Sequence, residues 1–184
     1  MKKKLIILDR DGVINADSDH YIKTPDEWHA IPSSLTAIKH LNDAGFIVTI
    51  ATNQSGVNRG LLSLDTLHAI HAKMYQALRD MHAHIDDLEF CPHDPSENCP
   101  CRKPKAGMML KLLEKWQVRP QDAWVIGDAL RDVIAGQTAG CHVALVLTGK
   151  GKKVIENHAD ELKGVPIYPD LAAAVDALLK KQEK

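Results

Sequence analysis

The sequence predicts an α/β fold with a mainly parallel sheet and right-handed crossovers. Three observations carry this. Short apolar runs, too brief for helices, recur along the chain. Amphipathic stretches with helical spacing separate them. Polar residues follow directly on the last apolar residue of several runs. A chain of 184 residues fits one domain spanning 1–184, with no repeat, linker or low-complexity segment. The net charge of −1 argues against a general nucleic-acid or membrane-surface binder. No apolar run approaches a membrane span. Met1-Lys2-Lys3-Lys4 mimics the basic head of a signal peptide, but the apolar run after it stops at Leu8. A cytoplasmic location is therefore expected.

The elements follow in order. Leu5 to Leu8 reads as a buried parallel strand. Val13 to Pro32 is polar and irregular, a long loop of the kind that is functional or disordered. Ser33 or Ser34 is the expected cap of a helix with Leu35, Ile38 and Leu41 on one face, ended by Gly45. Phe46 to Ala51 is a second strand, followed by Thr52-Asn53-Gln54-Ser55-Gly56 and closed by Arg59-Gly60. A long helix is expected from about Ser63 to Met81, with Leu67, Ile70, Met74, Leu78 and Met81 facing the core. His68, His71, His82 and His84 are read as a solvated face, since no carboxylate or cysteine completes a metal set. Leu88 to Phe90 is a third strand running into Cys91, and a cysteine-rich loop continues to Pro104. Ala106 to Trp116 is a helix with Met109, Leu112, Leu113 and Trp116 as core. The strand Ala123 to Ile126 ends in Gly127-Asp128, and the helix Leu130 to Ala139 stops at Gly140. His142 to Leu147 leads into Thr148-Gly149-Lys150-Gly151. A short strand at Val165 to Tyr168 and a helix from Asp170 complete the chain.

Asp9 and Asp11, two residues apart in extended backbone, project the same way from a strand's carboxyl end. Alone, the pair equally fits a solvated turn. But Asp9, Thr52 and Asp128 each follow the last apolar residue of a strand, so a parallel sheet puts all three on one rim. Asp9 and Asp128 suit Mg²⁺, which prefers oxygen ligands. Thr52 offers a hydroxyl, and Asn53 and its neighbours offer N–H groups to phosphate oxygens. Lys103 adds a point charge and Arg102 a bidentate fork. A carboxylate attacks phosphorus only once the phosphate charge is neutralised, so this set suits phosphoryl transfer through an aspartyl-phosphate.

Asp9-Arg10-Asp11-Gly12-Val13, Thr52-Asn53, Lys103, and Gly127-Asp128 with Asp132 resemble, in order, the four motifs of the haloacid dehalogenase-like phosphatases. The resemblance implies a Rossmann-like three-layer sandwich. It implies Asp9 as nucleophile and Asp11 as general acid, then base. Asp9, the Asp11 backbone carbonyl and Asp128 would hold Mg²⁺, while Thr52 and Lys103 hold the phosphoryl group. Asp132 would orient Lys103 or a metal-bound water. The loops after the first two strands leave no room for the cap domain that many members carry.

Cys91-x-His93-x5-Cys99-x-Cys101 supplies four ligands for a closed tetrahedral Zn²⁺ site, which makes the zinc structural. Cys141 lies apart and reads as a packed thiol. The loop is similar to two branches of the superfamily, acting on heptose 1,7-bisphosphate and on histidinol phosphate. Asn53 to Gly60, Ile14-Asn15-Ala16-Asp17 and Thr148-Gly149-Lys150 look more like the heptose branch. Ala129 departs from several relatives, which have lysine there. The implied role is hydrolysis of a small-molecule sugar bisphosphate by a monomer, supplying nucleotide-activated heptose for lipopolysaccharide or surface glycans. Histidinol phosphate is the other substrate expected. A zinc-stabilised binding module without catalysis is the non-enzymatic alternative. Thr52, Asn53, Gln54, Ser55 and Lys103 are expected around the reacting phosphate. Arg59, Arg102 and Lys150 are expected cations for a second phosphate, and Asp17, Asp19 and His20 are expected partners of sugar hydroxyls.

Overall fold

A computed structural model describes residues 3–181. Six parallel strands form one sheet: β1 (Leu5–Leu8), β2 (Ile47–Asn53), β3 (Asp87–Cys91), β4 (Ala123–Gly127), β5 (His142–Val146) and β6 (Ile167–Tyr168). Their order is β3-β2-β1-β4-β5-β6. The chain winds outward from β1 in one direction and from β4 in the other. The reversal lies between β1 and β4, where Leu8 sits opposite Ile126. Crevices for ligands form outside the carboxyl ends of strands at such a reversal.

The period of two in the strands divides the core. Ile6, Leu8, Val48, Ile50 and Ile126 face one way and pack under α1 (Pro32–Asp43), α2 (Leu64–Asp80) and α6 (Leu171–Lys180). Leu5, Ile7, Ala51, Val125 and Leu145 face the other way, under α3 (Gly107–Trp116), α4 (Leu130–Thr138) and α5 (Gly151–Asn157). All four residues of β1 are fully buried, as a central parallel strand covered on both faces requires. The result is the expected three-layer α/β sandwich.

Several local expectations change. Helix α1 is entered through Ile31 with Pro32 in its first turn, and no side chain caps it. Proline suits this first position because an N–H there would have no partner within the helix. Ser34 is instead buried, and its hydroxyl donates to the Val13 carbonyl at 2.6 Å. Met81 lies past the end of α2 and is exposed, because the helix stops at Asp80. Strand β2 runs on through Thr52 and Asn53, which pair with Phe90 and Cys91. The segment 13–32 is ordered: Trp28 is buried with Val13, Ile14 and Ile22, and a 3₁₀ turn spans Pro25–Glu27. Helix α5 has no side-chain cap and was not anticipated.

His71 is the clearest reversal. It is buried on α2, and its Nε2 has no hydrogen-bond partner. Burial, aided by the nearby Arg10 charge, pushes its pKa down to about 3. The folded protein therefore holds His71 neutral while the unfolded chain, with an ordinary imidazole, binds a proton below about pH 6.5. This stability is complete above that pH and is lost as pH falls toward 3. Between pH 6.5 and 5, the wild type is expected to lose about 2 kcal/mol more than His71→Leu. Urea unfolding of both proteins across that range checks it; parallel pH curves would contradict it.

Candidate active site

Asp9 leaves β1 beside β4, its N–H donating to the Ile126 carbonyl at 3.0 Å. Its carboxylate is almost fully buried. Oδ1 accepts from the Arg10 N–H at 2.7 Å and meets the Lys103 ammonium at 3.0 Å. Lys103 also meets Asp132 Oδ1 at 2.6 Å and donates to the Ala51 carbonyl at 2.7 Å. Its three donors thus have three partners, all away from bulk water. Burial alone would discharge the ammonium, but the Asp132 and Asp9 charges raise its pKa. Lys103 is itself clasped by Asn53, whose side chain accepts from its N–H at 3.1 Å and donates to its carbonyl at 3.0 Å. Asn53 therefore positions the lysine, a role beyond the phosphate cradle expected from the sequence.

Asp128 follows β4. Its Oδ2 accepts from the Lys150 N–H at 2.7 Å, whereas the buried Oδ1 has no partner. Gly12 (φ +80°) and Gly149 (φ +56°) press against this carboxylate, and a β-carbon at either would collide with it. Asp132, in the first turn of α4, accepts from the Ala129 N–H at 3.0 Å. One oxygen from each of Asp9, Asp128 and Asp132 lies within 4.8 Å of the others. Burial, opposed by Lys103 and reinforced by Asp132, pushes the Asp9 pKa up to about 6. Burial and the Asp9 and Asp132 charges push Asp128 up to about 7. Burial works against Asp132 as well, but Lys103 and Arg131 outweigh it and hold that carboxyl below the ordinary range. Crowded carboxylates with one orphaned oxygen fit a hard divalent cation. Asp132 is already engaged by Lys103 and Ala129, so Asp9 and Asp128 are the carboxylates that could hold such an ion.

Asp11 does not join that cluster. Its carboxylate is held by a bidentate Arg10 guanidinium at 2.9 and 3.0 Å, by Asn15 at 2.9 Å and by Gln54 at 2.9 Å. Burial would raise its pKa, but the Arg10 charge and these donors lower it. The Asp11 side chain thus stands apart from the carboxylate cluster, and only its backbone carbonyl was expected to meet a Mg²⁺ ion.

A cleft of ≈ 210 Å³ opens above these groups, lined by Asp9, Asp11, Asp17, Thr52, Asn53, Gln54, Ser55 and Arg102 as the sequence suggested. Lys103 and Asp128 are buried and are not part of its lining. Ser18, Asp19, Tyr21, Ile22, Arg131 and Lys150 complete the lining. Two expectations fail. His20 is exposed and off the cleft, while its neighbours Asp19 and Tyr21 line it. Arg59 is also off the cleft; it pairs with Asp94 at 2.7 Å and braces the cysteine loop. Arg131 escaped the sequence reading, although its place three residues after Asp128 brings it to the same rim.

In the cysteine loop, Cys91, His93, Cys99 and Cys101 converge. Their ligand atoms lie 3.2–3.5 Å apart where they touch, and no disulfide joins them. A zinc held by bonds of about 2.0–2.3 Å needs a tetrahedron close to this size. Asp94 and Glu97 form a capping box at the loop's 3₁₀ turn, and Asn58 donates to Glu97 at 2.8 Å. Arg102 donates to the His93 carbonyl at 3.3 Å. Cys141 is buried apart from the cluster, as expected, its thiol pushed up to about 11 by burial.

The reversal of winding, the carboxylates beside it and the lysine that bridges them define a hydrolase of the haloacid dehalogenase-like class. Residues 100–174 match a family model described as HAD-hydrolase-like. The D-glycero-beta-D-manno-heptose-1,7-bisphosphate 7-phosphatase of Pseudomonas aeruginosa is 44% identical over 180 residues, covering 98% of this chain and 100% of that protein. The Bordetella bronchiseptica protein of the same name is 46% identical, covering 97% and 99%. A crystal structure of D,D-heptose 1,7-bisphosphate phosphatase from B. bronchiseptica, complexed with magnesium and phosphate, superposes with a TM-score of 0.94 at 46% identity, covering 97% of this chain and 99% of that one. The chain belongs to the D-glycero-D-manno-heptose-1,7-bisphosphate 7-phosphatase family.

Metal analysis of protein purified without chelators is expected to give one zinc per chain. Cys99→Ser should lose it, loosen the loop that carries Arg102 and Lys103, and lower kcat/KM by on the order of tenfold or more. A zinc-free wild type would contradict the assignment.

Proposed function

We propose that the chain is a Mg²⁺-dependent phosphatase that removes the 7-phosphate of D-glycero-D-manno-heptose 1,7-bisphosphate. The 1-phosphate is kept for nucleotide activation in lipopolysaccharide or surface-glycan synthesis. The observation that carries this is the pairing of near full-length likeness to such phosphatases with an intact Asp9–Lys103–Asp132 bridge.

Asp9 is the nucleophile. Oδ1 is engaged by Arg10 and Lys103, which leaves Oδ2 turned to the cleft. Oδ2 attacks phosphorus as the bond from phosphorus to the sugar oxygen breaks, and Asp11 gives that oxygen its proton. Asp11, now a carboxylate, takes a proton from the water that attacks the aspartyl-phosphate, releasing phosphate and restoring Asp9. The hold of Arg10, Asn15 and Gln54 on ionised Asp11 matches its base form. For the first step its carboxyl leaves Arg10 and lies against the phosphate, whose negative charge favours the proton. Asp9, Asp128 and the Asp11 carbonyl would hold the Mg²⁺, which would supply charge neutralisation at the phosphoryl oxygens. The Thr52 hydroxyl and the N–H groups of Asn53 and Ser55 hold those oxygens, since the Gln54 N–H already donates to the Cys91 carbonyl at 2.7 Å.

Substrate choice rests on Arg102. Of the three expected cations, Arg59 is paired with Asp94, and Lys150 with Asp17 at 3.0 Å. Arg102 lines the cleft on the cysteine loop and has no carboxylate partner among the described residues. A cation there favours a second phosphate and disfavours the amine of histidinol phosphate. The groups named all lie around one continuous six-stranded sheet, which supports a single catalytic unit over residues 1–184. No helix among the described residues is long and apolar enough to cross a membrane. Cysteines placed as metal ligands or as a packed thiol, rather than in disulfides, suit a reducing, cytoplasmic setting.

Asp9→Asn is expected to abolish turnover while leaving the melting temperature within a few degrees of wild type; near-normal activity would overturn the mechanism. Arg102→Ala should lower kcat/KM on the bisphosphate at least about tenfold more than on p-nitrophenyl phosphate, since one charge-assisted contact is worth about 1.5–3 kcal/mol. Equal losses would place Arg102 in the chemistry rather than in recognition. Efficient turnover of histidinol phosphate would shift the substrate assignment.

A further inference from the structure

We propose that Arg131 is a catalytic residue whose guanidinium donates to the non-bridging oxygens of the phosphoryl group as it passes to Asp9. This deepens the phosphatase reading and rests on Asp9 as the acceptor.

Helix α4 begins directly after Asp128, so its first turn overhangs the cleft. Arg131 lies in that turn and lines the cleft beside Asp9. Its Nη2 stands 4.0 Å from Asp9 Oδ2, the oxygen without a hydrogen bond. That gap is too long for a direct bond. It is short enough for an oxygen attached to phosphorus to lie beside both groups. The Nε is buried with no partner, and the guanidinium makes no hydrogen bond among the described residues. The side chain is 35% exposed, so water can serve its outer end, but the buried Nε has no acceptor unless one arrives with a ligand.

Lys103 cannot fill this role unaided. Its ammonium already faces Asp9, Asp132 and the Ala51 carbonyl. Lys103 thus sets the charge and position of Asp9, while Arg131 has free donors on the side from which phosphate approaches. A guanidinium fork suits two phosphoryl oxygens, and donors already aimed into the cleft need little reorganisation. The competing view makes Arg131 only a counter-charge for Asp9, Asp128 and Asp132. That view gives it an effect on stability but none on the chemistry.

The test compares wild type, Arg131→Ala and Arg131→Lys on heptose bisphosphate and on p-nitrophenyl phosphate, with thermal melts on all three. Arg131→Ala is expected to lower kcat/KM on both substrates by the same factor, on the order of 10²–10³. Most of that loss should fall on kcat. Arg131→Lys should lie between. Millimolar guanidinium chloride should restore part of the Arg131→Ala activity, and potassium chloride should not. Loss on the bisphosphate alone would make Arg131 a clamp for the remote phosphate and overturn the proposal. Unchanged kcat, or a loss that guanidinium leaves untouched, would also overturn it. Should Arg131→Ala fail to fold, Arg131→Gln carries the same comparison. Wild type that cleaves p-nitrophenyl phosphate but not the bisphosphate would end the substrate reading, and the aryl phosphate arm would still decide the role of Arg131.

Discussion

Three carboxylates share one buried corner of this protein. Asp9, Asp128 and Asp132 lie within 4.8 Å of one another at the reversal between β1 and β4. Two ionised carboxylates at that distance repel by about 3 kcal/mol even at an effective dielectric constant of 20. The corner persists because cations are delivered to it along fixed routes. Lys103 is inserted between Asp9 and Asp132, and Arg131 stands opposite. The orphaned oxygen of Asp128 remains for a metal. Around this corner, the rest of the site is scaffolding that keeps opposite charges from drifting apart.

That scaffolding forms a traceable chain. Strand β2 overruns its neighbour β1, and the overhang carries Asn53 to the Lys103 backbone. Lys103 follows two residues after Cys101, so the cysteine–histidine cluster fixes where it leaves the loop. Arg59 and Asn58, on the loop after β2, bind Asp94 and Glu97 on the cysteine loop. A segment without an apolar core of its own is thereby tied to the sheet at both ends. The zinc loop and the nucleophile are remote in sequence but are consecutive links in one mechanical path.

Much of this was legible in the sequence. Burial on both faces makes a parallel strand a solid apolar run, so β1 and β4 and the aspartates after them stood out. The cysteine spacing announced a metal cluster because few other constraints place four such ligands so close. Other features hid for physical reasons. His71 looks polar, yet its ring packs against Phe90 with centroids 6.1 Å apart. Composition cannot distinguish a buried neutral imidazole from a solvated one. Ser34 looks like a cap, but the helix begins two residues earlier at Pro32, and the hydroxyl serves the Val13 carbonyl instead. Arg59 was read as a ligand because charge alone cannot show that Asp94, far along the chain, already balances it. Helix α5 is seven residues long with only Gly151 and Val154 buried, too little periodicity to register.

The Asp128 carboxylate is held in place partly by the absence of side chains. Gly12, next to the nucleophile's strand, and Gly149, after β5, close on it from separate parts of the chain, and Thr148 ties the two loops by donating to the Gly12 carbonyl at 2.5 Å. A methyl group at either glycine would displace the Asp128 carboxylate while leaving every aspartate and lysine of the site in the sequence. Such a chain would still satisfy any search that scores only the reactive residues, and would be assigned an activity it had lost. Telling working members of this family from inert ones therefore depends on reading two empty positions as carefully as the charged ones.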